Sequence, residues 1–352
     1  MIKKESLSKE RIEAVSKSHK KADKILVEKD IRALMLLEGL TTSGLNFIFK
    51  GGTALMLLFG SAKRLSIDID IIVPDKDSDL SSILEKICKD YGFSHYKMDE
   101  RNPDMVIDKE HYKLYFESVI EEKESYVLLD VLREAIHYKT IIDIPISSSF
   151  VSTEGQDLKV RVPDINNILG DKLTAFAPST TGIPYRKGEK EMGMEIIKQL
   201  YDIASLCDRA DNPVEISEVF TSFVQTELYY RNKKCSVADV IEDIIDNSME
   251  ICLRGNYGKA DFGILSKGIA QVKSFIFSES FHLEKAITCA AKAAYIASII
   301  KCKRTEIGSF KQEKIEEMKD WSITEPMSTK LNKQKKSNPE AFFYLYKTRE
   351  ML

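Results

Sequence analysis

The apolar residues of the first third of the chain change from helical to strand spacing. From residue 6 to about residue 40 they recur every three or four positions, which predicts two helices. A short strand is predicted at 46–50, and TALMLLFG then predicts a buried helix that ends at Gly60, where glycine can adopt the left-handed conformation. The next strand is predicted at 67–73 and is followed by Pro74.

The pattern changes again near residue 160. Before this point, a helix at 78–91 is followed by strands predicted at 93–98, 111–120, 125–134 and 157–162. After it, helical spacing dominates and predicts helices at 164–177, 189–209, 213–231, 236–252, 260–277, 282–302, 309–321 and 338–350. We therefore predict an α+β protein, with a mixed sheet flanked by helices at 1–162 and an all-helical domain at 163–352 that closes over a cleft.

Composition is typical of a globular protein, with 352 residues of which 43% are hydrophobic and 30% charged. The sequence has no apolar run of about 18 residues to cross a bilayer, and MIKKESLSKERIEAVSKSHKK lacks the apolar centre of a signal peptide, so we expect a cytoplasmic protein. The six cysteines and five histidines are dispersed, which predicts neither a zinc site nor a disulfide framework. A net charge of -3 argues against a strongly basic nucleic-acid coat but allows a local basic groove.

Two carboxylates, Asp68 and Asp70, interrupt the apolar strand in RLSIDIDIIV. Side chains alternate along a strand, so the two acids share one face about 6.6 Å apart while the isoleucines take the other. Like charges this close repel each other unless a cation neutralises them, and Mg²⁺ prefers oxygen ligands. The pair therefore predicts a metal site rather than a solvated strand face. Mg²⁺ takes only one or two protein carboxylates, so a phosphate ligand is predicted as well.

Two metal ions about 4 Å apart would contact both the attacking and the leaving oxygen of an in-line displacement at phosphorus. We therefore expect a third carboxylate, on a neighbouring strand, to help hold these ions. Asp130 in YVLLDVL is the candidate, since a single charge in an apolar strand is costly without a partner. The alternative is an aspartate at a sheet edge that pairs with Arg133 or Lys139.

A glycine pair lies between the first strand and the next helix. At Gly51, Gly52 and Thr53, backbone N–H groups and the helix dipole favour an anion, and glycine lets the backbone approach a phosphate closely. A Gly-Gly pair alone is also compatible with a simple turn. Followed about fifteen residues later by an Asp-x-Asp strand, it predicts a phosphate site.

The run KGGTAL followed by RLSIDID resembles the signature of the AbiEii/AbiGii toxin family of nucleotidyltransferases, a branch of the DNA polymerase β-like superfamily. The superfamily pattern is Gly-Gly or Gly-Ser, a spacer, Asp-x-Asp or Asp-x-Glu, and a later acid on another strand. Thr53 stands beside the glycines in place of serine, and the spacer is slightly longer than usual. The resemblance implies a catalytic site in which Asp68, Asp70 and Asp130 hold Mg²⁺, with an NTP as co-substrate.

Two motifs in the helical half extend the resemblance. ILGDKLTAF resembles the family's Lys-Leu-x-Ala helix, and KQLYDIASL resembles its Arg-Asp-hydrophobic-Tyr-Asp helix. The match implies two further catalytic residues, Lys172 reaching the triphosphate and Asp202 lining the nucleotide or acceptor site. Lys198 and Gln199 depart from the Arg-Asp of the family. The alternatives are ordinary ion pairs, with a nearby acid of the same helix for Lys172 and with Lys198 for Asp202.

Several other polar residues are weaker candidates. We assign Arg64 and Ser66 to nucleotide binding, with an ordinary ion pair as the alternative for Arg64. Lys50 resembles the basic residue ahead of the family's glycines. The loop at 177–190 and the basic stretch at 330–336 carry several cations, which either contact substrate phosphates or are simply solvated.

The resemblance implies a toxin of a toxin–antitoxin or abortive phage infection pair that transfers NMP to an RNA hydroxyl, with tRNA 3′ ends modified by related toxins. Expected partners are an NTP, the RNA and an antitoxin encoded nearby. One alternative is transfer to a small molecule or a protein hydroxyl, which the lack of strong basic charge favours. A second is a non-catalytic protein that binds nucleotide or antitoxin, which the intact pair of Asp68 and Asp70 disfavours.

Overall fold

The chain forms two compact units. Unit 1 consists of Met1–Asp164 and Ser274–Ser280, and unit 2 consists of Ile165–Lys273 and Phe281–Leu352. The computed structural model describes residues 1–20, 22–60, 63–99, 109–324 and 328–352. The short segment at 274–280 joins unit 1 although it lies deep in the helical half of the sequence, and the apolar pattern does not predict this.

Unit 1 contains the main sheet. Its strands are β1 (Ile48–Lys50), β2 (Asp68–Ile72), β3 (His95–Met98), β4 (Lys109–Glu117), β5 (Glu124–Leu132), β6 (Ile141–Pro145) and β7 (Lys159–Pro163). The first five form one sheet in the order β1-β2-β5-β4-β3, and the last two form a separate antiparallel pair. Strands β2 and β5 are parallel, whereas the other neighbours in the main sheet are antiparallel. Strand β5 is therefore the central strand of a mixed sheet.

Helices cover one face of this sheet. The helices of unit 1 are α1 (Lys9–Ser18), α2 (Lys24–Thr42), α3 (Gly51–Phe59) and α4 (Leu80–Tyr91). Helix α2 packs against β2 and β5, where Ile69 and Leu129 are fully buried. Asp70 and Asp130, which alternate with these core residues, are partly exposed on the opposite face. The alternation of apolar and acidic residues thus separates the core from a polar sheet face.

Unit 2 is helical apart from one small hairpin. Its elements are α5 (Ile165–Ala175), β8 (Arg186–Lys187), β9 (Lys190–Glu191), α6 (Gly193–Cys207), α7 (Pro213–Tyr230), α8 (Val237–Cys252), α9 (Phe262–Gln271), α10 (Leu283–Lys301), α11 (Ser328–Ser337) and α12 (Pro339–Met351). Helix α10 packs against α6, α8 and α12, and its residues from Ala286 to Ile300 are buried. Its many alanines allow the surrounding helices to approach closely. The predicted α+β class is confirmed.

Some elements differ from the sequence-based predictions. The helix predicted at 309–321 is a 3-10 helix at Gln312–Met318, and α9 ends at Gln271 rather than at 277. Strand β6 and helix α11 were not predicted. Helix α11 contains a single apolar residue, Leu331. The spacing of apolar residues therefore gives no pattern from which this helix could be predicted. None of the described helices combines the length and the apolar character needed to cross a membrane.

Candidate active site on the sheet of unit 1

Three carboxylates lie on the same face of the sheet. Asp70 is the register partner of Asp130 across the parallel β2–β5 pair, and Asp68 lies two residues earlier on β2. Neighbouring strands are about 4.8 Å apart and alternate residues of one strand about 6.6 Å apart, so the three α-carbons lie within about 8 Å. The structure thus brings together the three acids that the sequence predicted as metal ligands.

Asp130 has two polar neighbours on β4, a histidine and a lysine. His111 Nδ1 lies 2.6 Å from Asp130 Oδ1, and Lys109 Nζ lies 3.2 Å from Asp130 Oδ2. The alternative was a sheet-edge acid that pairs with Arg133 or Lys139, and its edge position is wrong because β5 is central. Arg133 pairs with Glu110 at 3.4 Å. The Asp130 side chain is 23% exposed, so the acid remains accessible from the polar face of the sheet.

The turn at the start of α3 packs tightly against the acids. Gly51 has a φ of 83°, in the left-handed region, and a β-carbon at this position would lie 2.0 Å from Asp70 Oδ2. At Gly52 a β-carbon would lie 2.5 Å from both Arg64 Nη2 and Ser66 Oγ. Both glycines are therefore required by the close approach of the side chains that follow in the motif.

The hydroxyl of Thr53 is used inside the fold. Its side chain is fully buried, and Oγ1 donates to the backbone oxygen of Asp68 at 2.7 Å, with the Ser66 oxygen at 3.1 Å. The hydroxyl thus ties α3 to β2 and is not placed to bind a phosphate. N–H groups in the first turn of a helix have no partner within the helix, so phosphate binding at this turn depends on the backbone. Helix α3 ends at Gly60, as predicted, with a left-handed φ of 64°.

Arg64 is held beside the glycine turn by backbone contacts. Its guanidinium is buried, and Nη1 donates to the Leu65 oxygen at 3.1 Å. Arg64 also forms an isolated bridge with Ile276, and the Leu65 N–H donates to the Phe275 oxygen at 2.9 Å. The segment at 274–280 of unit 1 therefore fixes the chain just before the carboxylate strand.

The sequence analysis missed one buried acid near Arg64. Asp30 of α2 is 0% exposed, and neither of its carboxylate oxygens has a hydrogen-bond partner among the residues that the structure describes. Burial raises the pKa of Asp30 well above its usual value, and the charge of Arg64 only partly opposes this shift. The signal was available, because Asp30 shares a helix face with the apolar residues Val27 and Leu34.

The two predicted residues of unit 2 pair with each other. Lys172 Nζ of α5 lies 3.0 Å from Asp202 Oδ2 of α6, and the two side chains are only 11% and 4% exposed. Lys172 Nζ also donates to Gln199 Oε1 at 2.9 Å. Gln199, which stands where the family has the aspartate of its Arg-Asp pair, thus provides a neutral hydrogen-bond acceptor for Lys172. That Lys172 reaches a triphosphate stays a prediction.

The acids fit a magnesium ion, although no ready-made cluster is present. Among the residues that the structure describes, no three His, Cys, Asp or Glu side chains are arranged to hold a metal. Mg²⁺ requires fewer protein ligands, because water and substrate phosphate complete its shell. Asp68 and Asp70 provide two carboxylates on one strand face, and the absence of a β-carbon at Gly51 allows the Asp70 carboxylate to occupy its position.

The family model for the nucleotidyl transferase AbiEii toxin, of a type IV toxin–antitoxin system, matches residues 36–266, about two-thirds of the chain. The chain belongs to this family. It is therefore a nucleotidyltransferase of a toxin–antitoxin family, for which membership implies an NTP substrate and an antitoxin partner. Membership of AbiEii contradicts the alternative of a non-catalytic binding protein.

Three solved structures resemble the AbiEii chain at low identity. A protein from H. pylori described as a nucleotidyltransferase candidate is 17% identical, with 79% of this chain and 94% of that chain covered and a TM-score of 0.43. JHP933 from Helicobacter pylori is 16% identical, with 84% of this chain and 94% of that chain covered and a TM-score of 0.41. An antigenic nucleotidyltransferase-like protein from Paracoccidioides brasiliensis is 15% identical, with 57% of this chain and 90% of that chain covered and a TM-score of 0.34. No curated protein matches the chain. The assignment to AbiEii therefore rests on the family model.

Replacing Gly51 by alanine is expected to destabilise the protein and to abolish nucleotide transfer, because the new β-carbon would overlap the Asp70 carboxylate. Gly60→Ala is the matched control, since Gly60 is also left-handed but has no atom within 4 Å of the β-carbon position. The control should lose only about 1–2 kcal/mol of unfolding free energy from backbone strain. Urea unfolding measures both variants, and equal losses would contradict the packing role of Gly51.

Asp30→Asn is expected to stabilise the protein near pH 8 and to lose this advantage as the pH falls toward about 4. The pKa of Asp30 is higher in the folded state than in the unfolded state, so ionisation increasingly favours the unfolded state as pH rises above the unfolded value of about 3.9. Urea unfolding over this pH range measures the difference from wild type. The exposed Asp77→Asn serves as control, and an Asp30→Asn advantage that grows with falling pH would refute the assignment.

Proposed function

We propose that this AbiEii toxin transfers a nucleoside monophosphate from an NTP to the 3′ hydroxyl of an RNA, with tRNA as the first substrate to test, in a reaction that requires Mg²⁺. Family membership supports the nucleotide transfer. The observation that carries the proposal for the site is the pairing of Asp70 with Asp130 on adjacent parallel strands, beside the tight turn at Gly51. We further propose that an antitoxin encoded nearby counteracts the toxin in the cytoplasm.

Each polar group of the site has a role in this reaction. Asp68 and Asp70 would hold Mg²⁺, which neutralises phosphate charge when bound. The backbone N–H groups at Gly51 and Gly52 bind the triphosphate, because the start of a helix favours an anion. Arg64, packed against Gly52, adds positive charge next to this turn. Most of the rate enhancement would come from positioning and charge neutralisation.

Asp130 is assigned as the general base. It accepts the proton of the acceptor 3′ hydroxyl while the hydroxyl oxygen bonds to the α-phosphorus, the bond from this phosphorus to the bridging oxygen breaks, and pyrophosphate leaves. His111 and Lys109 hold the Asp130 carboxylate by its two oxygens and keep it directed along the polar face. A base of this kind must lie within hydrogen-bond reach of the proton it removes, which an accessible side chain allows.

On the family motif we also assign Lys172 and Asp202 to catalysis. Their buried ion pair gives each side chain a fixed position in unit 2. Removing one partner of a buried pair leaves the other charge uncompensated and typically costs about 3–5 kcal/mol. Substitutions at these positions therefore affect folding together with activity, and the partly exposed acids of β2 give the cleaner test.

The double variant Asp68→Asn, Asp70→Asn is expected to lose nucleotide transfer by about 10²–10³-fold or more, because asparagine keeps the side-chain shape but not the charge that stabilises the transition state. Transfer is measured with NTPs labelled at the α-phosphate. The matched control is Asp77→Asn, an exposed acid in the loop after β2, which should transfer at the wild-type rate. Undiminished transfer by the double variant would refute the assigned site.

A second experiment identifies the acceptor. Labelled NTPs are offered with purified tRNA, with bulk protein and with small alcohols, in Mg²⁺ and in excess chelator. We expect label on tRNA only, dependent on Mg²⁺, and lost when periodate has destroyed the tRNA 3′ diol. Label confined to protein or small alcohols would establish the alternative acceptor that the net charge of -3 favours, and label in chelator would refute the metal requirement.

A further inference from the structure

Aromatic and basic side chains continue from Asp130 across the same face of the main sheet. Register partners in neighbouring strands, and residues two apart in one strand, have their side chains on the same face. His111 is the partner of Asp130, so this face can be followed from β5 to β4 and β3. We call the following set the outer face: His95, Lys97, Lys113, Tyr115 and Tyr126.

The rings of the outer face lie next to one another. His95 stacks on Tyr115 with ring centroids 4.5 Å apart and planes at 4°, and the Tyr115 and Tyr126 centroids are 5.7 Å apart. Tyr126 is 39% exposed, which is large for an aromatic side chain in a sheet. His95 and Tyr115 are only partly exposed and stack on each other, so Tyr126 is the ring of this set that is open to solvent. An exposed ring on a sheet provides a stacking surface for an unpaired base, and such stacking tolerates any base because each has a π-face.

Cations accompany the rings. Lys97 Nζ lies 5.2 Å from the Tyr115 ring centroid, and Lys113 Nζ lies 5.7 Å from that of Tyr126. Lys97 is exposed and has no carboxylate partner among the described residues. Lys113 pairs with Asp99 at 2.9 Å, and both side chains are partly exposed, so a phosphate can compete for this lysine. The outer face thus combines stacking rings with available positive charge, the two features of single-strand binding surfaces.

The spacing of the outer face suits a nucleic-acid strand that ends at the carboxylates. Tyr115 lies four residues beyond His111 on β4, about 13 Å along the strand from the position of Asp130. This is the length of about four stacked nucleotides at 3.4 Å each. A chain bound along the rings would therefore bring its terminus to the general base.

We propose that the outer face binds the single-stranded 3′ end of the RNA acceptor, with a base stacked on Tyr126 and phosphates on Lys97 and Lys113. The inference rests on the proposed function and assigns the acceptor site for that reaction. Duplex RNA would not bind in this way, since its bases are already stacked and paired.

The test is fluorescence anisotropy of an end-labelled single-stranded RNA of about 12 nucleotides, titrated with the full chain in the absence of NTP. The double variant Lys97→Glu, Lys113→Glu should bind at least about tenfold more weakly, because two phosphate contacts become repulsive. Tyr126→Ala should bind roughly tenfold more weakly through the loss of one stacked base. The Lys97→Arg, Lys113→Arg variant should bind like wild type.

Two matched controls separate the outer face from general surface charge and exposed rings. Lys89→Glu changes an exposed lysine of α4, outside the sheet, and Tyr229→Ala removes a tyrosine of α7 that is 71% exposed. Both should bind RNA like wild type. Thermal unfolding of every variant confirms that binding is compared between folded proteins.

The outcomes distinguish this inference from the proposed function. Wild-type affinity in the glutamate and alanine variants, or no RNA binding by wild type, overturns the outer face even if label transfer to tRNA is observed. Equal affinity for a blunt-ended duplex overturns the single-strand assignment. RNA binding that depends on the outer face, without any transfer to RNA, supports the outer face and overturns the proposed reaction instead.

Discussion

The parallel pairing of β2 with β5 is the constraint on which the site depends. On β2 acids alternate with isoleucines, and on β5 Asp130 lies between Leu129 and Val131; the apolar residues beside the acids are buried, and α2 packs against both strands. A slip of one residue would turn Asp130 into the core and expose Val131, at the cost of burying a charge. Burial of the core face therefore selects the register that places Asp130 beside Asp70. The hydrophobic core on one face determines the chemistry on the other.

The cluster of negative charge is tolerated because each acid has a defined environment. Asp130 pairs with Lys109 and contacts His111, both on the neighbouring antiparallel strand. Asp70 packs against a turn that has no β-carbon, where a larger residue would displace it. The charge of Lys109 beside Asp130 thus lowers the repulsion among the carboxylates.

Local patterns in the sequence predicted most of this arrangement. The Asp-x-Asp strand, the glycine turn, the stop at Gly60 and the α+β class all follow from spacing within a few residues. The partners His111 and Lys109 could not be predicted in this way, because cross-strand register is not a local property. The same holds for Lys172 and Asp202, which the sequence suggested separately and which the packing of α5 on α6 joins. Thr53 shows the reverse case, in which a plausible ligand hydroxyl is used to hold two elements together.

Two elements with a weak apolar signal were missed or assigned the wrong type. Helix α11 and the 3-10 helix at Gln312–Met318 bury few side chains, so periodicity gives little information about them. Asp30 was missed for the opposite reason, because an acid inside an apolar helix face contradicts the rule used to assign such faces. The effect of the Arg64 charge on Asp30 depends on tertiary packing, which the helical pattern does not show.

The bridge between Arg64 and Ile276 has a consequence for how the enzyme is made. Domains generally fold from the N-terminus as the ribosome releases them. Arg64, just before the carboxylate strand, however pairs with Ile276, which is translated much later. Nascent chains that end before residue 276 lack this partner, so the enzyme matures only after more than three-quarters of its translation is complete. A contact of such long sequence separation also forms late in folding, after the helices between its two ends have begun to organise.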